Sequence, residues 1–450
     1  MSARAETRRS PYPVKQEELG RARFRQIQGY GCKVYGIDAL LSGVQDSRKD
    51  PQIPATVVVR ILYVLGLLRI RSFNALEPRL AEPEMQRALG VPVSEARRIC
   101  SADTLAYSLH RMDVATCRAP LIQVVRKAER NKVFREGWYG AMRFVAIDGW
   151  EPFSSYARQC DACLTREVRV GDEKRTQYYH RDVVALLLGE YLELVLEMEP
   201  IRSADIRQEV GEKNVEGHEG ELTAAKRLIE RLRTTYGRWI DILVLDALYS
   251  NGPILTLAAQ CGFGVLSILK KETHEPLKEA LALFNGEGPL KTIEDPKKHE
   301  ILHLWDCPGL ETLESYDGPI RVVRAVVRKA GEDKKHHWCF AVTGKACRLS
   351  PERVVAAGRA RWHLENTGFH QWTHHWHFDH VFTHGPEAIP ALMWLILLAF
   401  NMTQLFVYRQ LGGYARLQGK DVTRTFLRLV HEMTTDVARL DQTLLWNDSS

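Results

Sequence analysis

Phe144-Val145-Ala146-Ile147-Asp148 is a short apolar run closed by a carboxylate, and the same design returns at Ile242-Leu243-Val244-Leu245-Asp246. Such runs, too short for a stable helix and rich in β-branched residues, read as buried strands. Working outward, residues 182–188 form a second apolar run, and 191–198 a third that alternates in Leu192-Glu193-Leu194-Val195-Leu196-Glu197. Gly189-Glu190 supplies a hairpin turn between them. A helical period follows over 219–236, then a strand over 240–246, a helix over 254–261 and a strand over 263–269. Three antiparallel strands followed by alternating helix and strand predict an α/β core, α+β over the whole chain.

A third carboxylate lies in Gly358-Arg359-Ala360-Arg361-Trp362-His363-Leu364-Glu365-Asn366-Thr367-Gly368-Phe369. Arg361 and Glu365 are four apart, which puts both on one helix face. Two strand ends and a helix thus deliver Asp148, Asp246 and Glu365. Hard oxygen ligands suit Mg²⁺, and two such ions about 3.5–4 Å apart can activate a nucleophile and stabilise a leaving oxygen at a phosphodiester.

With these residues the chain resembles the insertion-sequence DDE transposases, in the cut-and-paste group that carries a β-rich insertion before the final Glu and a Tyr-Arg-Glu-Lys signature. The resemblance covers roughly residues 140 to 405. It implies a ribonuclease H-like catalytic domain over 141–269 and 346–410, a β-rich insertion over 270–345, and a C-terminal helical segment over 411–450. It also implies catalytic and metal-binding roles for Asp148, Asp246 and Glu365, with Mg²⁺ as cofactor and Mn²⁺ as substitute. Arg361 matches the signature Arg. The signature Tyr falls on Gly358 and the Lys on Trp372, two departures that make His370, His374 and His375 candidate replacements for the lost donor. The expected DNA contacts are Arg361, His370, Trp372 and His374. The implied partners are transposon ends, target DNA and a second copy of the chain in a synaptic dimer.

Composition agrees with a multidomain globular enzyme: 450 residues, 45% apolar and 26% charged. The net charge is +6, yet residues 1–147 carry 25 Lys and Arg against 14 Asp and Glu. A basic N-terminal part ahead of an acidic site suits a protein that holds a polyanion with one part and cuts it with another. Residues 1–140 read as a basic helical DNA-binding region, with 1–30 as a mobile arm, an apolar helix over 54–69, a cap at Ser101-Ala102-Asp103-Thr104 and an amphipathic helix over 121–135. No apolar h-region follows Met1, so the expected location is the cytoplasm, on the nucleoid. Residues 389–407 are strongly apolar but contain Pro390, Asn401, Thr403 and Gln404, which suits a buried helix.

Four further patterns carry a sharper and a plainer reading. His299-Glu300-Ile301-Leu302-His303 matches the HExxH pattern of zinc metalloproteases, but Pro296 and Pro308 flank it and its alternation suits a strand. Cys160-Asp161-Ala162-Cys163 has zinc-knuckle spacing, with His180 as a candidate third ligand of structural zinc. The nine Cys otherwise argue against a disulfide framework. Glu216, Glu219 and Glu221 favour the N-terminus of the central helix, with a supporting catalytic role as the sharper reading. Trp372 and Trp376 suit either the core or stacking on an unpaired base. An alternative to active transposition is a domesticated chain that binds DNA without turnover.

Overall fold

The structure, a computed structural model, describes residues 22–94, 97–134, 142–189, 192–270, 275–296, 299–311, 313, 315–329, 331–332, 335–411, 420–440 and 446. Most of the expected arm over 1–30, and Glu190 of the expected turn, lie outside them. The chain divides into two compact units, one of residues 1–131, 191–194 and 374–450, the other of 132–190 and 195–373.

The second unit is built on a sheet. Its strands are β1 (Phe144–Trp150), β2 (Ser154–Ser155), β3 (Leu164–Val170), β4 (Glu173–Tyr179), β5 (Asp182–Leu188), β6 (Leu194–Pro200), β7 (Ile242–Leu245), β8 (Gly264–Ile268), β9 (Lys291–Asp295), β10 (Glu300–Leu310), β11 (Ile320–Lys329) and β12 (Lys335–Thr343). Nine of them form one mixed sheet in the order β6-β5-β1-β7-β8-β12-β11-β10-β9. Strand β1 runs antiparallel to β5 and parallel to β7, and β7 runs parallel to β8. Every residue of β5 and of β7 is buried, as expected of interior strands covered on both faces. The helix Glu221–Tyr236 packs on β5 and buries Ala224, Ala225, Leu228, Ile229 and Leu232.

Two features depart from the expected layout. Strands β9 to β12 continue the central sheet, because β12 pairs antiparallel with β8 from Thr343↔Val265 to Phe340↔Ile268. The insertion therefore widens the sheet and leaves no exposed edge at β8. In addition, the segment between β1 and β5 contains a second, three-stranded sheet in the order β2-β4-β3. Its strands are largely exposed and charged, so burial leaves no apolar pattern there to read.

The helix Pro351–Ala360 crosses the sheet and touches β8, β10, β11 and β12. Arg359 on it forms a bidentate pair with the buried Glu300 of β10, at 2.7 and 3.0 Å. Gly358 allows close approach: a Cβ there would lie 2.1 Å from the ring of Phe340. The α-helix ends at Ala360, just before Arg361. Residues Leu364–Phe369 instead form a π-helical stretch in which His370 N–H donates to the carbonyl of Glu365. Such stretches insert one residue per turn and re-aim side chains.

In the first unit, the helices Ala55–Leu67 and Val114–Arg130 pack against Ala388–Gln410. Ser101 caps the helix Ala102–Leu109 by accepting from Thr104 N–H at 3.2 Å. The long apolar helix Ala388–Gln410 packs within this compact unit. It is long and apolar enough to cross a membrane, yet 94% of its most apolar window is buried inside the protein. Asn401 and Thr403 are enclosed too, and Thr403 Oγ1 donates to the carbonyl of Ala399 at 2.8 Å.

Candidate active site

The parallel pairing of β1 with β7 matches Phe144 to Ile242, Val145 to Leu243 and Ala146 to Val244. Asp246 directly follows the end of β7, on the side where Asp148 lies in β1, and its charge acts on Asp148. Asp148 Oδ1 accepts from Gly149 N–H at 2.9 Å. Asp246 ends its strand by capping the 3₁₀ turn Ala247–Tyr249, accepting from Leu248 N–H at 2.8 Å.

Arg361 joins the third acid to the first. Its guanidinium donates through one nitrogen to Asp148 Oδ2 at 2.5 Å and through another to Glu365 Oε1 at 2.6 Å. Burial works against its charge, but Asp148, Glu365 and Asp246 more than offset that and hold it above its usual value. Its Nε is buried without a hydrogen-bond partner among the described residues. Arg361 is only 3% exposed, so it is an internal counter-charge rather than a surface contact.

A fourth acid stands beside these three. Glu221, the first residue of its helix, accepts from Tyr249 Oη at 2.6 Å and pairs with Arg181 at 2.5 Å. A Cβ on Gly149 would lie 2.4 Å from Glu221 Oε2, so glycine is what lets the backbone next to Asp148 pass this carboxylate. Burial, reinforced by the charges of Asp246 and Glu221, pushes the Asp148 carboxyl up to about 6, against the pull of Arg361 and Gly149 N–H. Burial and the neighbouring Glu221 likewise push the Tyr249 phenol well above its usual range. Glu221 was legible in sequence only as a helix-start acid, because nothing local shows that its helix begins beside β1.

Four carboxylates against Arg361 and Arg181 leave an excess of negative charge in a half-buried site. All the candidate donors are hard oxygens. The set fits a divalent cation such as Mg²⁺.

The remaining expected site residues are placed differently. Trp372 is fully buried, 5.0 Å from Trp150 and 5.6 Å from Phe369 between ring centroids, so it packs the interior and offers no face to DNA. With Gly358 lodged against Phe340, both departures from the signature are packing positions, and neither a Tyr nor a Lys fits without rebuilding its surroundings. His370 and His374, on the helix His370–His375, are exposed. The HExxH pattern runs from a turn at His299 into β10, not along a helix, and its Glu300 is the partner of Arg359. That arrangement lacks the helical spacing a zinc protease needs. Cys160, Cys163 and His180 do come together, as described below.

Residues 210–402 match the family model described as the transposase DDE domain, a span that includes Asp246, Arg361 and Glu365 and begins after Asp148. This match over part of the chain supports an insertion-sequence DDE transposase. No curated protein matches it.

Proposed function

We propose that this transposase binds the terminal inverted repeats of its element, cleaves DNA strands there and transfers the freed 3′-hydroxyl to target DNA, using Asp148, Asp246 and Glu365. The carrying observation is the parallel pairing of β1 with β7, which ends both strands on the same side with Asp148 and Asp246 in electrostatic contact, together with the Arg361 bridge from Asp148 to Glu365. The order β6-β5-β1-β7-β8 supports a ribonuclease H-like core, with strands three, two, one, four and five side by side.

Asp148 and Asp246 would hold Mg²⁺, or Mn²⁺ in its place, with Glu365 completing the set. When bound, the ions lower the pKa of water and stabilise the leaving oxygen. Glu365, 41% exposed at its side chain, faces the attacking water or hydroxyl and orients it. Arg361 keeps Asp148 and Glu365 at fixed spacing and offsets charge as the phosphate arrives. Glu221 with Tyr249 and Arg181 fixes the backbone at Gly149 and hence the direction of Asp148. The exposed His370 and His374 serve as donors to the DNA backbone, and the basic helical residues before β1 hold the end sequence. The working form is a dimer on paired ends in the cytoplasm.

The test is Mg²⁺-dependent cleavage of a labelled duplex carrying the element's end, comparing the native chain with Asp246→Asn and Glu365→Gln. Both variants should bind the end and leave it intact. Binding without cleavage by the native chain would instead identify a transposase-derived DNA-binding protein. Cleavage that survives both substitutions would remove the three-acid mechanism.

A further inference from the structure

Cys160 and Cys163 lie in the loop between β2 and β3, and His180 in the two-residue connection between β4 and β5. The loop closes as a tight turn, Cys163 N–H donating to the carbonyl of Cys160 at 2.9 Å. Cys160 N–H points at Cys163 Sγ, 3.3 Å away, and Ser203 Oγ donates to the carbonyl of Asp161. These contacts aim both sulfurs at the same place.

The two sulfurs are 3.8 Å apart, and His180 Nε2 is 3.5 Å from Cys160 Sγ and 3.4 Å from Cys163 Sγ. Zn–S bonds of about 2.3 Å and Zn–N bonds of about 2.0–2.1 Å at tetrahedral angles require S···S edges of about 3.8 Å and S···N edges of about 3.6 Å. The observed triangle has those edges to within about 0.2 Å. Hydrogen bonding alone explains it poorly. A neutral imidazole nitrogen has one lone pair, and two thiols converge on it while also touching each other. A cation at the centre would use a lone pair from each of the three atoms. The sulfurs are separate, unbridged thiols.

We propose that Cys160, Cys163 and His180 form a structural zinc site, with a further donor at the fourth vertex. The ion ties the start of β3 to the end of β4, at one end of the small β2-β4-β3 sheet. His180 is followed by Arg181, the partner of Glu221, and by Asp182, which begins β5. The ion therefore anchors the segment that braces the acid cluster, without belonging to it. This inference stands apart from the DNA chemistry, because its readout is metal content.

The experiment is elemental analysis of the tag-free, full-length chain purified under thiol-reducing conditions, beside Cys163→Ser, His180→Ala and Asp246→Asn. The native chain and Asp246→Asn should retain about one zinc per chain, and the first two variants less than about a tenth of that. Because a variant that loses zinc can also misfold, the native protein is exchanged with Co²⁺. Visible ligand-field bands of a tetrahedral ion with thiolate charge transfer are expected, and release of the metal should follow titration of the thiols. A folded native chain that carries no zinc and takes up no cobalt overturns the site. So does a Cys160–Cys163 disulfide in the reduced preparation, or zinc that stays in Cys163→Ser.

Discussion

Replacing Gly358 by Ala tests the packing that keeps the signature tyrosine out of this chain. The added Cβ would lie 2.1 Å from Phe340 Cε1, 2.6 Å from Cζ and 2.7 Å from Cδ1, whereas non-bonded carbons rest about 3.5–4.0 Å apart. Phe340 is fully buried on β12 and stacks on Trp338 at 6.2 Å, so its ring cannot swing aside into solvent. Two effects compete. Removing a mid-helix glycine favours the helix by about 0.8–1.0 kcal/mol, and overpacking a filled core costs about 1–3 kcal/mol. An overlap this deep belongs at the upper end of that cost, so Gly358→Ala should lose about 1–2 kcal/mol net. Gly358→Tyr, with a whole ring to place, should lose more than about 3 kcal/mol and gain no cleavage activity. Denaturant unfolding of the full chain, followed by tryptophan fluorescence, measures both. Repeating Gly358→Ala in a Phe340→Leu background removes the far ring atoms, and there the substitution should become neutral or stabilising. If Gly358→Ala is as stable as the native chain with Phe340 intact, the close-packing argument fails.

Other expectations concern the site and its supports. Glu221→Gln should leave end binding unchanged and slow cleavage by about 10–100-fold, the usual cost of disturbing a group that orients a metal ligand; an unchanged rate would show Glu221 to be a helix-start residue only. Arg359→Met strands the buried Glu300, and because Arg359 is 29% exposed at its side chain the loss should be about 2–3 kcal/mol, below the range of fully buried pairs. Adding Glu300→Gln should recover part of it, and no recovery in the double variant would mean the pair is not the cause. His299→Ala and His303→Ala should each leave zinc content and DNA cleavage within about twofold of native, since a turn leading into β10 gives them no helical spacing. Trp372→Lys should destabilise the chain strongly by burying an unpaired ammonium among Trp150 and Phe369; improved cleavage with unchanged stability would refute its placement in the core.

What the chain's linear order determines is local. The apolar runs of β1, β5, β7 and β8 announce themselves because a strand buried on both faces needs consecutive apolar residues, and an acid is conspicuous where such a run stops. Ser101 is readable as a cap because its partner, Thr104, is three residues away. The spacing of Arg361 and Glu365 suggests a shared helix face, and they do pair, although over a stretch that passes into π-helical winding. Tertiary structure alone decided the rest. Glu221 joins Asp148 and Asp246 only because its helix starts beside β1, a meeting across 73 residues that no local period encodes. Glu300 serves Arg359, 59 residues away, instead of an HExxH helix. Trp372 is equally plausible from sequence as a stacking ring or a core ring, and complete burial against Trp150 settles it for the core. The strands of the insertion carry ordinary β patterns, and only pairing of β12 with β8 makes them part of one sheet. Side-chain type and spacing report what a residue can do within a turn or a strand, while the partners that fix its charge and burial come from distant segments brought together by folding.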